Sequence, residues 1–139
     1  MAIAWDTSLS VGIDAIDDDH KKLLEIINML GGDTEKSREE LTAILNELVD
    51  YTRYHFTREE ELMAQHGYAS LEKHQEEHGF FIAKLMDLGI MLESEDLEIT
   101  REEASAFLSM WLTRHIRWSD FDYVSCVTKG ERCGPDSPG

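Results

Sequence analysis

Four apolar stripes at helical spacing, separated by connections of only a few residues, restrict this chain to a bundle of antiparallel helices. The first stripe predicts a helix from about Asp17 to Leu30, with Leu23, Leu24, Ile27 and Leu30 facing inward and Gly31-Gly32 ending it. Ser37-Arg38-Glu39-Glu40 then reads as a capping box, in which a serine oxygen accepts a backbone N–H and a glutamate reaches back. The helix it opens carries Leu41, Ile44, Leu45, Leu48, Val49 and Thr52 on one stripe and runs to about His66, where Gly67 stops it. A third helix is predicted from near Ser70 to about Leu92, with Leu71, Phe81, Ile82 and Leu85 inward. Thr100-Arg101-Glu102-Glu103 reads as a second capping box, opening a fourth helix with Phe107, Leu108, Trp111, Leu112, Ile116 and Tyr123 inward. The expected fold is all-α, an up-down-up-down antiparallel four-helix bundle. Its N-terminal arm (Trp5, Leu9, Val11, Ile13) is too apolar for a free tail and is expected to pack across the bundle.

This organisation places one domain, with its arm, at residues 1–123 and a partly flexible extension at 124–139. The stretch from Gly130 to Gly139 holds both prolines and three of the nine glycines, and is expected to be frayed. Cys126 and Cys133, with no second pair, form neither a zinc ribbon nor a disulfide framework. They are expected to be reduced bystanders or a local feature of the tail, and no sequence feature supports a redox or cross-linking role. With 29 acidic side chains against 13 basic ones, the net charge of −16 opposes nucleic acid and anionic membranes. The opening residues lack the charge and apolar run of a secretory signal, and the most apolar stretch, Phe80 to Leu92, is broken by Lys84 and Asp87. The expectation is a cytoplasmic protein with no membrane and no nucleic-acid partner.

The chemistry lies in the histidines. His55 and Glu59 are four apart on the second helix, and His74 and His78 are four apart on the third. A helix turns about 100° per residue, so each pair projects from one face and can meet at one point. His20 lies early in the first helix, and His115 and Asp120 lie late in the fourth. In an antiparallel bundle these seven residues gather toward one end, which is how bundles build metal sites. His66, beside Gly67 at a helix C-terminus, is better explained by the helix dipole and stays outside the set.

Five imidazoles and two carboxylates exceed what one first-row ion needs, so two ions are implied. Imidazole with carboxylate suits iron, manganese, zinc or copper, and the lack of thiolates argues against iron–sulfur or structural zinc. If both carboxylates and a solvent oxygen bridge, about eleven of about twelve octahedral positions are filled and one stays open for a small diatomic ligand. One spacing is awkward: His115 and Asp120 are five apart, about 140° from alignment on a regular helix. A π-bulge between Ile116 and Asp120 is therefore predicted.

Together these residues resemble the hemerythrin family in its single-domain bacterial form. The match runs from Val11-Gly12-Ile13 through Ile16-Asp17 to His20-Lys21, then His55-Phe56, Glu59-Glu60, Met63 and Gly67-Tyr68. It continues through His74-x-x-x-His78 to Trp111-Leu112-x-x-His115-Ile116-x-x-x-Asp120, covering about Trp5 to Tyr123. Relatives often carry glutamine where Asp19 stands here. The resemblance implies an iron held by His74, His78 and His115, a second held by His20 and His55, and Glu59 and Asp120 bridging. It also implies Trp111, Leu112 and Ile116 as the apolar pocket for the ligand. The function expected is reversible dioxygen binding by a non-heme di-iron protein for transport, storage or delivery, not enzymatic, with an oxygen-using protein as a possible downstream partner.

Two other readings differ in class. An oxygen or redox sensor would couple the same site to a signalling domain in a longer protein. A metal-dependent hydrolase would use His74-Gln75-Glu76-Glu77-His78 as an H-x-x-E-H motif, with Glu77 as general base, and would leave the other five residues unexplained. Ferritin-like di-iron oxidation needs Glu-x-x-His pairs, and no histidine here has a glutamate three residues before it.

Overall fold

A computed structural model describes residues 4–32, 34–94 and 97–134, and among them every regular element is helical. After a 3-10 turn at Thr7–Leu9 come α1 (Asp14–Leu30), α2 (Arg38–Gln65), α3 (Leu71–Ser94) and α4 (Leu97–His115). A π-helical turn at Ile116–Asp120 then leads directly into α5 (Phe121–Lys129). Contacts between helices fix their directions. Tyr51 and His55, late in α2, bond to Asp19, early in α1. Glu60, late in α2, meets His78, early in α3, and His74 meets His115, late in α4. Arg101, early in α4, reaches Leu30 at the end of α1. Consecutive helices thus run antiparallel, and α1 against α4 closes the four-helix bundle.

The apolar stripes meet along the axis: Leu23, Ile27, Leu41, Leu48, Leu85 and Leu108 are all buried in one core cluster. Thr52 is buried with them, whereas Ile82, Phe107 and Trp111 are only half-buried. The arm packs across the bundle as expected, with Leu9 and Val11 buried and Trp5 and Ile13 half-buried against the core. Asp17 fastens it: its carboxylate accepts from Val11 N at 2.8 Å and Ser10 Oγ at 2.6 Å. Consequently α1 starts at Asp14, a turn before the expected Asp17, because that aspartate serves the arm from within the first turn.

The Ser37 box forms as predicted, with Glu40 N to Ser37 Oγ at 3.1 Å and Ser37 N to Glu40 Oε1 at 3.2 Å. The Thr100 box requires correction. The side chains of 97–100 lie outside the described residues, but the backbone of α4 already runs from Leu97, so Thr100 is inside the helix. Leu97-Glu98-Ile99 contains no helix breaker, and helix formers at a boundary motif also suit an interior. Arg101, read as part of that box, instead donates to the carbonyls of Leu30 at 2.7 Å and Gly31 at 2.8 Å, satisfying the C-terminus of α1. The two glycines there divide the work. Gly32 takes φ +86°, and Gly31 lets α4 approach, since a Cβ on it would lie 2.8 Å from Ser105 Oγ.

The C-terminal expectations also change. Cys126 and Cys133 form a disulfide rather than remaining reduced. Residues 135–139 of the stretch expected to fray lie outside the described residues, but 130–134 is anchored. Gly130, at φ +68°, turns the chain back after α5, and the Cys133 carbonyl accepts from Ala69 N at 2.8 Å. The Ala69–Cys133 bond was not visible in the sequence, because it depends on the α2–α3 turn lying beside the end of α5.

Candidate metal centre

All seven residues singled out by spacing meet at one end of the bundle, and all are buried. Candidate ligand atoms of Glu59, His74, His78, His115 and Asp120 lie within 4.8 Å of one another, as do those of His20, His55 and Glu59. The two groups share Glu59. Asp120 also spans them, with Oδ2 at 3.1 Å from His20 Nε2 and Oδ1 at 3.1 Å from His74 Nε2. Glu59 Oε1 lies 3.2 Å from His55 Nε2 and 3.3 Å from His78 Nε2. Asp120 gets there through the π turn at Ile116–Asp120, where the extra residue per turn takes up the misalignment of the His115–Asp120 spacing.

The inward atoms do not satisfy one another. Both ring nitrogens of His20, His55 Nε2, Glu59 Oε1 and both Asp120 oxygens are buried without a hydrogen-bond partner. His115 Nε2 sits 3.1 Å from His74 Nε2 and 3.2 Å from His78 Nε2, so three imidazole nitrogens crowd one point. Buried polar atoms left in this way cost a fold dearly unless something bonds them. Metal cations between the two groups would bond the atoms that face one another there, and imidazole with carboxylate is a donor set first-row metals accept. These residues fit such a centre.

The outward nitrogens of three histidines are occupied. His55 Nδ1 meets Asp19 Oδ2 at 2.8 Å, His78 Nδ1 meets Glu60 Oε2 at 3.0 Å, and His115 Nδ1 meets Glu77 Oε2 at 3.0 Å. Each carboxylate accepts an N–H from the outer nitrogen, which turns the lone pair of Nε2 toward the centre. Asp19 is itself held by the Tyr51 hydroxyl at 2.9 Å, and Glu77 by the Ser119 hydroxyl at 2.6 Å. Glu77 is therefore committed to the outer face of His115, and the hydrolase reading loses its general base. Tyr123, buried, donates to Glu59 Oε2 at 2.6 Å.

Charge follows the same plan. Burial pushes the His55 imidazole down, but Glu59 and Asp19 outweigh it and raise it to about 9. Burial likewise opposes protonation of His115, while Asp120 and Glu77 raise it to about 10. Burial pushes Glu59 and Asp120 up, and their repulsion adds to this for Glu59, yet the surrounding imidazoles hold both carboxyls well below the usual range. The carboxylates thus draw positive charge to His55 and His115. A bound cation would supply that positive charge in place of protons.

Aromatic rings wall the cluster. Phe56 stacks on His78 with centroids 3.6 Å apart and 3° between planes, and Trp111 stacks on His115 at 4.6 Å and 13°. Leu112 and Ile116 are buried, whereas half-buried Trp111 lines an open groove of about 660 Å³ with Phe80, Met110 and Trp118. His66 lies outside the cluster: exposed at the end of α2, its Nδ1 is 2.9 Å from the Leu62 carbonyl. Sequence reading missed Asp19, Glu60 and Glu77 as partners of the histidines. Their signal was available only as carboxylates one helical turn or less from a ligand position.

Comparison with known proteins agrees with this arrangement. A sequence model described as the hemerythrin HHE cation binding domain matches residues 11–127. The bacteriohemerythrin of Pseudomonas paraeruginosa is 35% identical over 127 residues, covering 90% of this chain and 81% of its own. That of Clostridium acetobutylicum is 32% identical over 126 residues, covering 86% and 97% respectively. A solved wild-type hemerythrin superposes with a TM-score of 0.80 at 27% identity, covering 92% of this chain and 99% of its own.

Proposed function

The chain belongs to the hemerythrin family, and on that premise we propose that it is a non-heme di-iron protein that binds dioxygen reversibly. The observation that carries the proposal is the set of buried, unpartnered donor atoms facing one another in two groups that share a carboxylate. His74, His78 and His115 would hold one iron and His20 and His55 the other, with Glu59 and Asp120 shared between the two groups. When bound, the iron pair supplies the electrons and the open coordination position that dioxygen requires. The chain's residues do the rest. Asp19, Glu60 and Glu77 fix the tautomers of three histidines, which keeps their lone pairs on the metal side. Tyr123 donates to Glu59 and holds that carboxylate in place between the two groups of histidines. Leu112, Ile116 and Trp111 form an apolar wall that excludes water and so slows loss of reduced oxygen species.

Transport, storage or delivery of oxygen is the role this reading favours, without enzymatic turnover and in the cytoplasm. No described helix is long and apolar enough to cross a membrane. An oxygen-using protein is the partner a carrier implies. The test is stoichiometric. Chain loaded anaerobically with ferrous iron is expected to bind two irons, take up one dioxygen per pair, and release it under argon. One iron per chain would overturn the paired centre, and uptake without release would overturn reversible binding.

A further inference from the structure

The disulfide at the C-terminus stands where it can act on the metal end of the bundle. Cys126 is buried in α5, whereas Cys133 is half-buried in the segment that turns back after Gly130. That segment is tied to α5 by Glu131 N, which donates to the Ser125 carbonyl at 3.2 Å, and to the α2–α3 turn by Ala69 N, which donates to the Cys133 carbonyl at 2.8 Å. The residue beside Ala69 is Tyr68, whose ring packs edge-on against Tyr123 at 6.5 Å between centroids. Tyr123 is the residue whose hydroxyl donates to Glu59.

We propose that Cys126–Cys133 is a reversible thiol–disulfide site, with a dithiol reductant as its substrate class, that clasps and releases the α2–α3 turn. Three features support a bond made to open as well as close. The reachable sulfur is that of Cys133, so an attacking thiolate meets it and Cys126 is the leaving group. Once released and protonated, the Cys126 thiol has an acceptor waiting, the His66 carbonyl at 3.6 Å, to which a disulfide sulfur cannot donate. Arg132, inside the bridged loop, sits at φ +63°, a left-handed conformation costly for a side chain with a Cβ. Opening the loop relieves it. The exposed Arg132–Asp122 ion pair is too weak to hold the segment by itself.

The chemistry balances with the dithiol alone. Its first thiolate attacks the Cys133 sulfur, the protein S–S bond breaks, and Cys126 leaves with the electron pair and takes a proton. The second thiol attacks the first sulfur of the reductant, closing a cyclic disulfide and freeing Cys133. The protein disulfide gains two electrons and the dithiol loses two.

The test uses the whole chain and amide hydrogen exchange, before and after dithiothreitol. Reduction without denaturant is expected to yield two alkylatable thiols and to speed exchange at Ala69 at least tenfold. The buried α2 amide of Leu48 stays unchanged, and reoxidation restores Ala69. Cys133→Ser, which breaks the bridge at its outer end, is expected to show the fast Ala69 exchange with no reductant present. A bridge reducible only in denaturant, or Ala69 exchange that is equal in the reduced, oxidised and Cys133→Ser proteins, would overturn the proposal.

Discussion

The two ends of the bundle are built on opposite principles. At the far end, Leu30, Leu41, Leu45, Leu85, Leu92 and Leu108 are buried together, and Arg101 closes α1 by satisfying its last carbonyls. The contacts that hold the helices there are apolar side chain against apolar side chain and backbone carbonyl against guanidinium. At the histidine end, seven buried polar residues come together and leave several atoms without partners, while the outer nitrogens of His55, His78 and His115 are each bonded to a carboxylate. The unpartnered atoms of that end are ones that a cation would bond. The difference separates folding from function: one end holds the helices together, and the other spends part of that stability on a site.

Substitutions can break this division. The largest effect is expected for His115→Ala, which removes an Nε2 that meets His74, His78 and Asp120. Iron per chain, measured after loading and desalting, should fall below two while the helical signal persists. Full retention would remove His115 from the centre. Leu108→Ala at the far end should do the reverse. It should lower unfolding free energy by about 2–5 kcal/mol, as for a fully buried leucine, and leave iron stoichiometry at two. A drop in iron would mean the ends are not independent.

A milder change sharpens the boundary of the site. Glu77→Gln keeps the shape beside His115 but loses the carboxylate that accepts its Nδ1 proton. Metal affinity, from chelator competition, should weaken about 10- to 100-fold. An unchanged affinity would make Glu77 a surface residue only. The smallest effect belongs to His66→Ala, expected to leave iron content and affinity as they are, because that ring lies at the end of α2 facing its own helix. Lost iron in this variant would mean the centre is wrongly drawn.

Much of the histidine end was legible because helical geometry turns spacing into direction. The i, i+4 pairs His55–Glu59 and His74–His78 had to share a face, and the i, i+5 spacing of His115 and Asp120 demanded the π turn that the structure contains. What stayed hidden depends on distances between different helices. Asp19 read as a minor departure, yet it meets His55 across the α1–α2 interface. Glu77 read as a possible base of a histidine pair on its own helix, yet it faces His115 on α4. Arg101 matched a local capping pattern, while its guanidinium serves the end of another helix. Cys126 and Cys133 were not read as a pair, although the reversal at Gly130 that joins them is a local one, a left-handed glycine after α5 with Gly130 N bonded to the Cys126 carbonyl.

The central claim is that the histidine end exists to bind dioxygen reversibly at an iron pair. An optical cycle tests it directly: reduce the iron-loaded protein without oxygen, admit air, then remove the oxygen. The account predicts a visible charge-transfer band that grows with air and fades on deoxygenation, over repeated cycles. Immediate and irreversible conversion to the oxidised spectrum would contradict it.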